Sequence, residues 1–520
     1  MIKPNIMDRL PRNYSLLTDE YEYTMSSCYL KCKKDKDIAV FDLFFRKVPN
    51  GGGYAVMAGL DKVIPFIQNL RFTEKDLEYF RRYNFPEEFI NYLRNFRFTG
   101  DIYAVPEGTP VFPNEPLITV KAPIIEAHII ESAILSMING AMEHATAARR
   151  IVEVLPPGVV ATEFGLRRAD GQEAGIDSAI YAYIAGFIGT SNVLAAWYLG
   201  QRAKGTHGHS YIESYDSEYE AMKNFAQIYP DNAFLLVDTY DTLRSGVPNA
   251  IAAFKYLKEH NIPYTNIGIR IDSGDLVYLT KESRKMLDAA GFPEAKIMIT
   301  NSLSAEIIEY LSSQGAKFDI IGVGDHASKP EGRMGGVYKE VALQQNGIWT
   351  PRIKLSNDTI KIVNPGYKKL YRAYNKDGFA IADIMARHDE KIQMKDLKII
   401  SPIDELKESI INDFELVELQ KPIFINGKLV YNDPTYDQKR DYCNKQMATL
   451  YPEIKRTKNP HEYYVDGTED YVTFKKELIK EKRAEIFQKR RWLKQIKKYC
   501  NKNKCLLSYV TRRFVIYDNR

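Results

Sequence analysis

The sequence predicts an α/β fold, with a parallel βα core and a partly β domain assembled from both flanks of the chain. Two observations predict it. First, the middle of the chain alternates short apolar runs with longer stretches of helical periodicity. Buried strands separated by helices pair in parallel, as in a βα barrel or a doubly wound sheet. Second, each of these runs ends on a polar residue or a glycine. In a parallel barrel those ends share the face on which active sites are built.

The expected core strands are 159–162, 233–237, 266–271, 296–300 and 318–323. Between them, 242–260 carries Leu243, Val247, Ala250, Ile251, Phe254 and Leu257 at helical spacing, and 276–290 and 305–314 repeat the pattern. The strand ends offer Glu163, then Asp238 and Asp241, then Arg270 and Asp272 around Ile271, then Asn301, then Gly322 and Gly324. The flanks read differently. Runs at 38–45, 101–105 and 116–120 are β-like, 60–68 is helical, and 126–155 is a long helix. After Val337 the β-like regions are 347–363 and 371–384. The expected division is 1–145 and 341–474 for the two parts of the flanking domain, 146–340 for the barrel and 475–520 for a basic tail.

Composition excludes several classes. The chain has 520 residues, 45% hydrophobic and 27% charged, enough for a sizeable core in two or more domains. It lacks a run of about 18 apolar residues, so no membrane-spanning helix is expected. The stretch 1–13 mixes charge with two prolines and has no signal-peptide core, which points to a cytoplasmic protein. Five cysteines, Cys28, Cys32, Cys443, Cys500 and Cys505, form no complete zinc set and read as reduced thiols. The net charge of +5 is uneven: residues 475–520 carry 16 Lys/Arg against 4 Asp/Glu. Lys489, Arg490, Arg491, Lys494, Lys497 and Lys498 surround Trp492 and Ile496. Such a patch reads as a solvated terminal helix or as attraction to an anionic partner, the first being the commoner case.

Three features suggest an anionic ligand. Gly322 and Gly324 at a strand end can free backbone N–H groups for an anion nest. Arg167 and Arg168 supply fork donors. Arg270 places a charge inside an apolar strand, where it meets either an anion or a structural partner such as Asp272 or Asp238. The stretch 205–210 (GTHGHS) sets two imidazoles beside two hydroxyls; His209 could be a base, a metal ligand or a phosphate acceptor.

Nine short strings carry a resemblance: 16–25 (LLTDEYEYTM), 41–46 (FDLFFR), 163–169 (EFGLRRA), 189–192 (GTSN), Gly205–Thr206 with His209–Ser210, 237–242 (VDTYDT), 270–275 (RIDSGD), 335–339 (GGVYK) and 459–461 (NPH). On these the chain resembles the nicotinate phosphoribosyltransferases, a family of type II phosphoribosyltransferases, from about Leu16 to about Ile479. The resemblance implies an irregular βα barrel and a homodimer. It implies transfer of phosphoribose from phosphoribosyl pyrophosphate to nicotinate, coupled to ATP hydrolysis with Mg²⁺, an entry step of NAD salvage. No membrane partner is implied, nucleic acid is not expected, and the basic tail has no match.

Residue roles follow by the same resemblance. His209 matches a transiently phosphorylated histidine, and His207 does not. Phe164 and Tyr21 match aromatic groups that sandwich the pyridine ring, Tyr21 from the other subunit. Arg270 and Thr206 match residues near the nicotinate carboxylate. Arg167, Gly322, Gly324 and Asp325 match phosphate contacts, and Asp238 and Asp272 the ribose and Mg²⁺ region. Ser191 stands where the nicotinamide-using sister family has an aspartate, which would repel a carboxylate. The chain departs from the family pattern at Asp325, commonly threonine, and at Ile188, usually acidic. An anion at 325 beside a phosphate nest is expected to need Mg²⁺ or Lys329 to offset it.

Overall fold

The computed structural model describes residues 14–355, 362–404 and 406–502, with side chains described as far as 487. The expected signal-free stretch 1–13, the end of the basic tail and the side chains of its 489–498 patch lie outside the described residues.

Five parallel strands form the core: β1 (Val160–Glu163), β2 (Ala233–Leu236), β3 (Ile267–Ile271), β4 (Lys296–Ile299) and β5 (Ile320–Val323), in the order β1-β5-β4-β3-β2. The sheet is curled and covers half a barrel. It is extended beside β1 by a parallel bridge from Glu163 to Thr190. All four residues of β2 and of β5 are buried, as expected of parallel strands covered on both faces.

Alternation sorts β3. Ile267, Ile269 and Ile271 enter the main core beneath the covering helices. Arg270 takes the other face, with Gly268, whose missing side chain leaves room for the Phe234 ring. That inner face holds a small apolar group of Phe234, Met298 and Ile320, with Val160 and Phe164 against it.

Helices that concern the site are α1 (Glu20–Lys31), α2 (Ile124–Ile129), α3 (Glu131–Glu153), α4 (Gln172–Ile184), α5 (His209–Glu213), α6 (Glu218–Ile228), α7 (Val247–Glu259), α8 (Leu276–Ala289), α9 (Ala305–Ser313), α10 (Asp325–Ser328) and α11 (Glu469–Lys502). The long helix expected at 126–155 is two helices. They are separated at Ile130, whose ψ of −9° departs from the helical value and bends the chain.

Beside a two-stranded pairing of Ala55–Val56 with Pro110–Val111, the flanks form two larger sheets. One has seven strands, all paired antiparallel, in the order Ile348–Pro351, Val337–Gln345, Ile38–Phe44, Ile118–Pro123, Asp101–Ala104, Lys421–Ile425, Lys428–Leu429. Segments from before and after the barrel therefore share one sheet, as expected. The other has six strands in the order Glu408–Ile411, Leu397–Ile400, Val465–Thr468, Ala380–Arg387, Lys368–Tyr374, Glu415–Glu418. The single β region expected at 371–384 is a hairpin, turned at Gly378 with φ +82°. Such a φ costs glycine nothing.

No helix among the described residues is long and apolar enough to cross a membrane.

Candidate active site

The carboxyl ends of β2, β3 and β4 bring one polar group together. Arg270, near the end of β3, donates from Nε to Thr300 Oγ1 at 3.0 Å and from Nη1 to Thr206 Oγ1 at 3.1 Å. Its Nη2 lies 2.9 Å from Asp272 Oδ1. Thr300 in turn donates to the same Asp272 oxygen. Burial alone would raise the Asp272 carboxyl. The Thr300 hydroxyl and the Arg270 charge outweigh it and hold Asp272 below the usual carboxylate range.

Asp238 follows β2. Its Oδ2 accepts from the Asp272 N–H at 3.0 Å and from Ser273 Oγ at 2.5 Å. Its Oδ1 is buried and has no hydrogen-bond partner. His209, at the first turn of α5, reaches both carboxylates: Nε2 is 3.8 Å from Asp272 Oδ2 and 4.0 Å from Asp238 Oδ1. Its Nδ1 is 3.2 Å from Thr239 Oγ1. The side chain is 41% exposed, so a ligand can reach it.

His207 has a different fate from its neighbour. It is buried, and its Nε2 accepts the Leu236 N–H at 3.2 Å, which places the ring proton on Nδ1. Burial pushes its pKa down to about 4, so the imidazole stays neutral. His207 thus ties the 205–209 loop to the end of β2.

The β1 side supplies the aromatic group. Glu163 is buried and burial raises its carboxyl, although it accepts from the Gly165 N–H at 2.6 Å, Ser178 at 3.2 Å and Thr190 at 2.5 Å. It is the anchor of the turn that carries Phe164 and of the segment that carries Ser191, whose N–H donates to Glu163 O at 2.9 Å. Phe164 is half-buried. A Cβ at Gly322 would sit 2.5 Å from Phe164 Cδ2, so this glycine makes room for the ring.

Gly324 caps α10, and its carbonyl accepts the Ala327 and Ser328 N–H groups, both at 3.1 Å. Asp325 is offset by Arg168, 3.4 Å away, whereas Lys329 pairs with Asp170 at 2.8 Å. The cation expected at Asp325 is therefore an arginine and not Lys329: the short α10 turns the lysine toward Asp170. Arg167 is exposed beside this loop.

Tyr21 is not part of the group. It lies on α1, 47% exposed, with its hydroxyl donating to Glu131 at 3.3 Å. Among the residues given no role from the sequence, Thr300, Thr239 and Ser273 hold the charged groups in place; Thr239 and Ser273 lie in the strings 237–242 and 270–275, whereas the only signal for Thr300 was its place at the end of an apolar strand. Asp241 and Asp275 are helix-start caps: Asp241 accepts from Leu243 and Arg244, and Asp275 from Val277 and Tyr278.

Comparison with known proteins shows the family. Residues 16–139 match the family described as nicotinate phosphoribosyltransferase (NAPRTase) N-terminal domain, and 367–475 the corresponding C-terminal domain. The nicotinate phosphoribosyltransferase of Bacillus subtilis is 40% identical over 477 residues, covering 91% of this chain and 96% of its own. The chain belongs to the nicotinate phosphoribosyltransferase family. The enzyme of that name from Caenorhabditis elegans is 34% identical, covering 88% of this chain and 92% of its own. The crystal structure of human nicotinic acid phosphoribosyltransferase superposes with a TM-score of 0.77 at 27% identity, over 89% of this chain and 100% of that one. Nicotinate-nucleotide pyrophosphorylase from Pyrococcus furiosus shares the fold, with a TM-score of 0.63 at 22% identity over 86% of this chain and 98% of its own.

Proposed function

We propose that this chain transfers phosphoribose from 5-phosphoribosyl 1-pyrophosphate to nicotinate, releasing nicotinate mononucleotide and pyrophosphate. On this reading ATP drives the reaction through transient phosphorylation of His209. The observation that carries it is the convergence, at one end of a parallel sheet, of a guanidinium, two carboxylates and an accessible imidazole.

Each group has a part. A guanidinium carries two N–H bonds on each terminal nitrogen. Arg270 uses one on Nη1 and one on Nη2, which leaves a fork for the nicotinate carboxylate, with Thr206 beside it. Phe164 offers a ring face to the pyridine. Bond breaking at the ribose anomeric carbon develops positive charge, which the carboxylates of Asp238 and Asp272 stabilise. Arg167, Arg168 and the 322–325 turn lie where phosphate oxygens are held. Tyr21 reaches the ring from a second copy of the chain, in a homodimer.

Asp238 and Asp272 also fit Mg²⁺, a hard ion that takes oxygen ligands, and the partnerless Oδ1 of Asp238 is a ready donor. When bound there, Mg²⁺ supplies charge neutralisation at the pyrophosphate. In the histidine step, a nitrogen of His209 attacks the γ-phosphorus of ATP and ADP leaves. A phosphoryl group on Nε2 then stands beside two carboxylates. That repulsion makes phosphohistidine a labile, high-energy group, suited to coupling.

Ser191 supports the acid rather than the amide as substrate, since no carboxylate stands at that position. The test measures nicotinate mononucleotide formation with and without ATP, in the wild type and in His209→Ala. ATP-stimulated product that loses only its stimulation in the variant supports coupling through His209. Equal stimulation in both removes His209 from that role. Preference for nicotinamide in a competition assay would overturn the reading of Ser191.

A further inference from the structure

A second group of ligand-type side chains lies outside the barrel. Glu22 of α1, His128 of α2 and Glu131 of α3 each present one ligand atom, all within 4.8 Å of one another. His128 Nδ1 is 3.1 Å from Glu22 Oε2 and 3.9 Å from Glu131 Oε2. The side chains are 9%, 0% and 9% exposed for His128, Glu22 and Glu131. Their walls are aromatic: Tyr29 stacks on the imidazole at 5.5 Å, and Phe41 meets it edge-on at 5.0 Å.

The hydrogen bonds available do not satisfy this group. Glu22 Oε1 is buried with no partner, and so is His128 Nε2. Two carboxylates this close, taken out of water, need positive charge beside them, of which Lys339 supplies part to Glu131. Glu340 also faces His128 and is paired with Arg352 at 3.5 Å.

One imidazole nitrogen and two carboxylate oxygens are a ligand set for first-row divalent ions. Bonds of about 2.0–2.2 Å to such an ion bring its ligand atoms to roughly 3.0–3.6 Å from one another. The separations here reach that range with small side-chain shifts. We propose that Glu22, His128 and Glu131 bind a single divalent transition-metal ion of the zinc class, pinning α1 across the bend at Ile130. The other oxygen of Glu131 accepts the Tyr21 hydroxyl, so the ion would also fix the position of that ring. The chemistry differs from that at Asp238 and Asp272, which offer oxygen alone and suit Mg²⁺.

The test uses the full chain, stripped with a chelator and then dialysed against Zn²⁺ with millimolar Mg²⁺ present to occupy oxygen-only sites. One zinc per chain is expected, with a rise in melting temperature. Glu22→Gln and His128→Gln should each lose the zinc, and His209→Ala should keep it. Cys28 on the same helix and Cys32 just past its end are exposed, so a Cys28→Ser/Cys32→Ser chain controls for thiol binding and should also keep it. Co²⁺ in place of Zn²⁺ should give d–d bands without a thiolate charge-transfer band. No zinc retained by the wild type, retention unchanged in His128→Gln, or loss in the serine variant would each overturn the proposal. Failure of the phosphoribosyl assay would leave it untouched, because binding is read directly.

Discussion

Thr300 gives one hydroxyl to two charged partners, accepting from Arg270 Nε at 3.0 Å and donating to Asp272. Thr300→Val keeps the shape and removes both bonds. A hydrogen bond to a charged group contributes about 1.5–3 kcal/mol, and the loss of one such contribution from the transition state should lower kcat/KM for nicotinate about 10- to 100-fold. Asp272 is held below the ordinary range, so its ionised form is favoured in the fold and that contribution is lost as pH falls through the folded pKa. Removing the Thr300 hydroxyl lets that pKa rise. The acid limb of the kcat/KM profile should therefore move to higher pH, and a profile that stays in place would show that Asp272 does not govern it. Arg270→Lys should raise KM more than it lowers kcat, because a single ammonium cannot hold Thr206, Asp272 and a carboxylate together. That Arg270, Asp238 and Asp272 share one face was legible from their places at strand ends, whereas their roles and that of His209 came from the resemblance alone. Thr300 was not legible, since a threonine ending a strand is ordinary until its neighbours in space are known.

At the scale of elements, two glycines on one strand end have different duties. A Cβ at 322 would lie 2.5 Å from Phe164 and 2.6 Å from the Thr300 methyl, whereas one at 324 would come no nearer than 3.7 Å, to Phe164 O. Neither has a positive φ, but Gly324, at φ −99° and ψ −95°, lies outside the regions open to alanine, so 322 is limited by space and 324 by its backbone. Gly322→Ala should overpack the strand end at a cost of about 1–3 kcal/mol. It should lower the melting temperature and raise KM for nicotinate as Phe164 is displaced. Gly324→Ala crowds no neighbour, so its cost, about 1–3 kcal/mol, should come from backbone strain alone and leave KM for nicotinate unchanged. Equal effects on KM would mean that Gly322 serves backbone contact with phosphate rather than the ring. The pattern Gly-x-Gly announced a turn without saying which glycine made room for what. Periodicity located the five core strands for a related reason: buried parallel strands are continuous apolar runs. It missed the break at Ile130, because 126–153 keeps helical spacing through the bend.

Across the whole molecule, the two large flanking sheets share a buried ion pair, Lys368 with Asp42, and a second buried network, which no local pattern announced, ties the six-stranded sheet to the strand Pro110–Val111. Arg372, fully buried, lies opposite Asp383 across the hairpin and donates to both its oxygens, at 2.7 and 2.6 Å. It also donates to Pro110 O at 2.8 Å, and Tyr463 donates to Asp383 at 3.0 Å. Residues far apart in sequence thus share one pair of charges, and 110–115 is joined to 372–383 and 463. Burial, then the Asp383 charge, push the Glu115 carboxyl well above its usual range. Replacing Arg372 by Met leaves Asp383 buried without its cation, which costs about 3–5 kcal/mol where one partner of a buried pair is removed. The urea midpoint should fall accordingly. Adding Asp383→Leu to Arg372→Met removes the stranded charge and should recover much of the loss, because well-packed apolar replacements of a buried pair are often neutral. The barrel site is not touched by either change, so nicotinate KM in the folded fraction should stay within about twofold. If the double variant is no more stable than Arg372→Met alone, the pair acts by holding Pro110 and Tyr463 in position rather than by balancing charge. In that case Tyr463→Phe, which removes one hydroxyl and leaves both charges, should be as destabilising as the loss of the arginine.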